Sequence, residues 1–204
     1  DRPYTAVSLR DFWRRWHMTL SRWLRDYLYI PLGGSRQGEL RTAVNIMITM
    51  LIGGLWHGAG WTFVVWGAFH GFGQVIGRWR HRRAGALGIV ERSSAWIVAR
   101  KRFVTFNLVC LGWVFFRADS IGSAFEILGR LGAAGSTALV TPIVLLTIAG
   151  MLGAQYLPSD PAARLREGFG RLGPVLQGAA LALGLFMITT LGGQGVTPFI
   201  YFRF

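Results

Sequence analysis

The chain has little of what soluble chemistry is usually built from. Of its 204 residues nine are Asp or Glu, one is cysteine and one, Lys101, is lysine, against 21 arginines. Charged residues make up 15% of the chain, below the roughly 25% of an ordinary soluble domain. The lone Cys110 rules out an intrachain disulfide and reads as a small residue in an apolar stretch. The four histidines lack metal-site spacing, and neither carboxylates nor cysteines cluster. There is no Walker loop, no GxSxG, no dinucleotide fingerprint, no internal repeat and no low-complexity linker. The first sixteen residues lack the basic end and apolar stretch of a signal peptide and read as the middle of a longer protein.

What is present points to a bilayer. Hydrophobic residues are 52% of the chain and mean hydropathy is +0.39. The net charge of +13 would suit nucleic acid, but the composition leaves no soluble domain to bind it, so no nucleic-acid partner is expected. Basic residues beside apolar spans are better read as cytoplasmic loops. The expected fold is all-α: a polytopic integral membrane protein with broken or re-entrant helices and interfacial amphipathic ones.

Ser8 and Asp11 form a capping-box pattern that predicts a helix running to about Tyr29. At 100° per residue, Phe12, Trp13, Trp16, Leu20, Trp23, Leu24 and Tyr27 fall in one sector of about 120°. Asp11 with Arg15 and Arg22 with Asp26 are i,i+4 pairs. This helix is too charged to span a bilayer and reads as interfacial or protein-buried. Pro31, Gly33 and Gly34 end it. Residues 42–55 are an apolar run shorter than the roughly 20 needed to cross unaided. The run stops at Gly53, Gly54, Gly58 and Gly60, with Trp56 and His57 at the centre of the break. Residues 61–77 resume as an apolar helix. Residues 78–102 read as a basic cytoplasmic loop. Spans are expected at 103–117, 138–157 and 174–192, with a second basic loop at 158–173. The aromatic end TPFIYFRF suits a membrane interface. The whole reads as one membrane domain, with its motifs in residues 1–77 and C-terminal membrane helices in 103–204.

His57 is the first candidate. An ionisable group at membrane depth is costly and marks function by default. An imidazole in apolar surroundings favours its neutral form, which can accept a proton. The plainer alternative is a histidine satisfied by a carbonyl at a helix end. His17 lies between an aromatic and a basic face, where it could line a polar cavity or simply pack. For His70 an intramembrane hydrogen-bonding role is the favoured reading, and His81 sits incidentally among arginines. Arg14, Arg15, Arg22, Arg25 and Arg36 have forks that suit a phosphate-bearing donor such as coenzyme A. Pairing with lipid headgroups and with the carboxylates of Asp11 and Asp26 is the favoured reading of these arginines. Trp56, Arg14 and Arg25 are taken as candidate substrate contacts.

The stretch DFWRRWHMTLSRWLRDYLYIPLGG, followed by GGLWHGAGWTFVVWGAFHG, resembles the membrane-bound O-acyltransferase family. It is most similar to the branch that holds the membrane subunit of bacterial alginate O-acetylation and the teichoic-acid D-alanyl transfer protein. FFRADS at Phe115–Ser120 and PFIYFRF at Pro198–Phe204 extend the likeness. The resemblance implies that His57, in LWHG, is the family's catalytic histidine and that His17, in RRWH, is the second histidine of this branch. It further implies transfer of an acyl group, foremost acetyl, to hydroxyls of an exported polysaccharide such as alginate. The donor would be acetyl-CoA or another activated acyl group, with no bound cofactor. His57 would deprotonate the acceptor hydroxyl or the group that first takes the acyl chain, while His17 would orient substrate or serve the proton path. The expected setting is a bacterial cytoplasmic membrane, with periplasmic acetylation proteins as partners. Family members are longer, so the chain is expected to be a C-terminal portion with further helices upstream. D-alanyl transfer, a non-catalytic acyl-export scaffold and an inactive fragment are the other readings.

Overall fold

A computed structural model describes residues 1–89, 94–131, 141–157 and 161–191. The described residues contain helices and turns and no strand, as the all-α reading expects. In chain order the helices are α1 (Leu9–Arg15), α2 (Met18–Leu24), a π-helical turn (Arg25–Tyr29), α3 (Gly38–His57), α4 (Trp61–Ala86), α5 (Ala95–Arg117), α6 (Ile121–Arg130), α7 (Pro142–Ala154), α8 (Pro161–Gly170) and α9 (Pro174–Leu191). Asp1–Ile148 and Ala149–Phe204 are two compact units. In the second, the amide of Gln177 in α9 donates to the carbonyl of Phe169 in α8 at 3.0 Å. The aromatic end, residues 197–204, lies outside the described residues.

The predicted first helix is broken in two. Its start is as expected: the Ser8 hydroxyl accepts from the Asp11 N–H at 3.1 Å, and Asp11 pairs with Arg15 at 2.8 Å. The helix then stops at Trp16, because His17 adopts the left-handed conformation at φ 43° and ψ 49°. That turn resets the helical phase, so the single apolar sector does not hold. Phe12, Leu20 and Leu24 are buried, while Trp23 and Tyr27 are 52% and 71% exposed. The π turn also changes the pairing after Leu24. Asp26 bonds Arg25 at 2.7 Å rather than forming the expected pair with Arg22.

The loop after the π turn is tied to α3 by one side chain. Asn45, fully buried, donates to the carbonyls of Leu32 at 3.1 Å and Gly34 at 3.0 Å. Gly33 and Gly34 take φ 102° and 56°, which a glycine adopts without strain. Asn45→Leu removes both donors and orphans two carbonyls, at about 1–3 kcal/mol for each buried one. The expected result is a lower thermal unfolding midpoint for the full-length protein. An unchanged midpoint would show that the loop is held by something else.

Helices α3 and α4 form a close antiparallel-connected pair around glycines. A Cβ at Gly54 would run into the Phe63 carbonyl, and one at Gly67 into the Met50 carbonyl and, at 3.1 Å, the Leu51 Cα. Both helices are longer than the sequence suggests. Residues 78–86 and 95–102, expected as a basic loop, belong to α4 and α5. Hydropathy marks where a helix stops being apolar, and arginine, a good helix former, lets it continue. The second expected basic loop, 158–173, likewise contains α8. At the start of α3 Glu39 binds Arg78 at 3.1 Å, and also Arg82. Arg78 in particular holds the Glu39 carboxyl below the usual carboxylate range.

The three late spans coincide with helices. Residues 103–117 fall within α5, and α7 and α9 occupy the described parts of 138–157 and 174–192. Even so, among the described residues no helix is long and apolar enough to cross a membrane. Helix α7 has only 13 residues, while α3 and α4 carry charges at one end.

Candidate active site

His57 is the last residue of α3, and the break that follows it gives the site its shape. Gly58 is extended, and a Cβ there would come 2.6 Å from the Phe63 ring. Its absence lets Phe63 of α4 stack on His57 at 6.3 Å between ring centroids. Trp56 and Phe116 lie edge-on to the imidazole at 4.9 Å each, and Trp66 at 5.4 Å. Phe116 comes from the FFRADS segment at the end of α5, so two of the recognised stretches meet at this ring. His57 is 7% exposed.

The kink at His17 brings the second histidine to the first. The His17 ring lies 6.4 Å from that of His57 and 5.9 Å from that of Trp56. A non-glycine residue in the left-handed region costs about 1–3 kcal/mol, and such strain collects at functional sites. His17 and Trp56 are exposed, and neither lines the cavity that His57 lines.

That cavity has a volume of about 420 Å³. His57, Trp66, Trp13 and Met50 contribute apolar and imidazole wall, and Arg10, Arg14, Arg22, Arg25 and Arg78 contribute charge. Arg25 and Arg78 are paired with Asp26 and Glu39. Arg10, Arg14 and Arg22 make no salt bridge within 4 Å to a described residue. A concave site with three cations outside any salt bridge to a described residue attracts an anion. Guanidinium forks fit phosphate or carboxylate oxygens. Among the described residues no group of three or more His, Cys, Asp or Glu could hold a metal ion.

Of the residues singled out from sequence, His57, Arg14, Arg22 and Arg25 line this cavity, and His17 and Trp56 adjoin it through His57. Arg15 is taken up by Asp11, and Arg36 is not in the lining. Arg10, Trp13, Trp66 and Arg78 were missed. Arg10 and Arg14 with Trp13 between them do carry a signal, an i,i+4 basic pair flanking an aromatic. Arg78 carried none, because it reads as part of a loop.

The same residues lie within the stretch that matches a known family. Residues 2–84 match the model of the membrane-bound O-acyltransferase family. The chain is 47% identical over 135 residues to a peptidoglycan O-acetyltransferase of Helicobacter pylori, covering 65% of this chain and 24% of that protein. It is 34% identical over 242 residues to the probable alginate O-acetylase AlgI of Azotobacter vinelandii, covering 100% of this chain and 47% of the relative. A teichoic acid D-alanyltransferase of Streptococcus thermophilus is 32% identical over 133 residues, 57% of this chain and 32% of that protein. The chain thus spans less than half the length of each of these curated relatives. The family match takes in both histidines and the cavity's arginines, and the alginate-type likeness continues to the end of the chain: it belongs to the membrane-bound O-acyltransferase family.

Proposed function

We propose that this chain is the His57-bearing part of an enzyme that moves an acyl group, foremost acetyl, to hydroxyls of an exported polysaccharide such as alginate. The observation that carries the reading is His57, buried among aromatic rings at one wall of an arginine-lined cavity. The names of the relatives, two O-acetylating and one D-alanylating, support the acyl class.

In this reading the arginines hold the anionic part of an activated donor such as acetyl-CoA, and no resident cofactor is needed. Arg10, Arg14 and Arg22 are available for it, and Arg25 can exchange its exposed partner Asp26. The acceptor hydroxyl oxygen attacks the acyl carbonyl as His57 takes its proton. The new C–O bond forms, the bond to the leaving group breaks, and the proton passes from His57 to that group. His17 orients the acceptor or relays the proton, and Trp56, beside both rings, offers it a flat contact.

The membrane setting belongs to the same proposal. Leu40, Val44, Ile52 and Phe103 are large apolar side chains turned outward, which suits lipid or further helices of the same protein. The basic ends of α4 and α5 suit the cytoplasmic face of a bacterial inner membrane crossed several times. Periplasmic acetylation proteins are the partners that the alginate-type relationship suggests. D-alanyl transfer toward teichoic acid is the second reading, supported by relatives of that name at 32% and 25% identity.

The test is ester-linked acetyl on the cell's exported polysaccharide. Strains would carry the full-length protein, its His57→Ala form at equal membrane level, or neither. Acetyl should be lost in the last two. Equal acetyl in all three would sink the proposal, and ester-linked alanine in its place would favour the second reading. Acetyl kept by His57→Ala but lost in the null strain would indicate a scaffold.

A further inference from the structure

His70 takes no part in the cavity lining, yet it touches what builds the lining. It is 1% exposed in the middle of α4. Its Nδ1 accepts the indole N–H of Trp13 at 3.3 Å. An indole nitrogen only donates, so Nδ1 carries a lone pair and the ring proton sits on Nε2. Nε2 faces α5 at Gly112, where a Cβ would stand 2.6 Å away. One imidazole therefore joins α1, α4 and α5 at a single point.

Its two nearest rings, those of Trp66 at 5.0 Å and Trp13 at 5.5 Å, are both cavity wall. Trp13 lies on α1 between Arg10 and Arg14, and Trp66 lies one turn before His70 on α4 beside His57. Trp66 is 2% exposed and its indole N–H has no acceptor among the described residues, so its place depends on packing. The rings of His70 at 5.0 Å and Trp13 at 5.6 Å supply much of that packing. Helix α1 has only seven residues and cannot fix its own register.

We propose that His70 is a positioning residue: by accepting the Trp13 indole N–H it sets the arginine-bearing α1 at a fixed distance from His57. This rests on the acyl-transfer reading. A donor anchored on Arg10 and Arg14 presents its acyl carbon to His57 only while that distance holds. Displacement by about 1 Å is enough to cost up to about a hundredfold in rate.

The experiment uses native membranes carrying the full-length protein, labelled acetyl-coenzyme A as donor, and label in polysaccharide as readout, normalised to folded protein. His70→Leu is expected to lower the maximal rate about tenfold, with the half-saturating donor concentration within about twofold of the parent. Trp13→Phe, which keeps a ring and removes the donor, should do the same. The double variant should be no slower than His70→Leu, because both changes break one bond. His70→Asn, whose Oδ1 can accept the same N–H, should recover most of the lost rate. The inference is overturned by multiplicative losses in the double variant, by His70→Asn as slow as His70→Leu, or by an unchanged rate per folded protein. Should His70→Leu fail to accumulate, Trp13→Phe decides alone, and an unchanged rate overturns it. A parent protein that transfers no label overturns the acyl-transfer reading itself, and the parent rate tells the two failures apart.

Discussion

Purified full-length protein with His57→Ala is expected to transfer acetyl about 10²–10⁴ times more slowly than the parent, the range contributed by a positioned general base. The effect should fall on the chemical step. His57 is one wall residue among many, while the arginines that would hold the donor remain in place. The half-saturating donor concentration should therefore change little. Folding should survive too, since alanine keeps the helix and the rings of Trp56, Phe63, Trp66 and Phe116 still close the site. His17→Ala should cost less, about tenfold, because His17 is exposed and reaches the cavity only through His57. Single-turnover rates with labelled donor would check both. A His57→Ala protein that keeps clearly more than about a hundredth of the parent rate would remove it from general-base chemistry, since a general base contributes at least about 10². Equal losses at both histidines would mean that they act as one unit.

Gly67→Val should prevent accumulation of folded protein altogether. Helices α3 and α4 approach so closely that even the Cβ of alanine at Gly67 meets the Met50 carbonyl and the Leu51 Cα. Those atoms are backbone and cannot turn aside as a side chain would. Overpacking of this kind costs about 1–3 kcal/mol per intrusion and more when backbone must move. Gly67→Ala is expected to lower the unfolding midpoint, and Gly67→Val adds two more carbons at the same point. Gly77→Ala, on the same helix with no described residue within 4 Å of its Cβ, is the control and should be neutral or slightly stabilising. Membrane abundance and thermal unfolding of the three variants decide it. A Gly67→Val protein as abundant as the parent would mean that the two helices can separate without loss of the fold. Because His57 ends one of these helices and Trp66 lies on the other, parting them would open the site as well.

Much of the site is legible in the residues themselves. The apolar composition, the glycine break around LWHG and the aromatic-basic run before it mark His57 and His17 as the residues to watch, and a general argument suffices. A titratable ring among apolar neighbours is costly to keep. Helix content is equally local, since capping at Ser8 and breaks at glycine depend on near neighbours in the chain. Other features do not follow from local rules. The left-handed turn at His17 is a conformation that no local rule predicts inside an otherwise helical run. That turn, more than the histidine, brings the two imidazoles together and sends Trp23 and Tyr27 outward. The pairing of Arg25 rather than Arg22 with Asp26 comes from a π turn that no i,i+4 rule anticipates.

By itself, then, the sequence determined the helical class and the family likeness and singled out the two histidines as candidates, because composition, capping and motif spacing act over a few residues. Tertiary structure alone decided which arginines share a cavity with His57, that Arg78 reaches it from a helix rather than a loop, and that Trp13 meets His70 across 57 positions of chain. Such contacts depend on how helices approach one another, and that approach is set by missing side chains at Gly54, Gly67 and Gly112 as much as by those present.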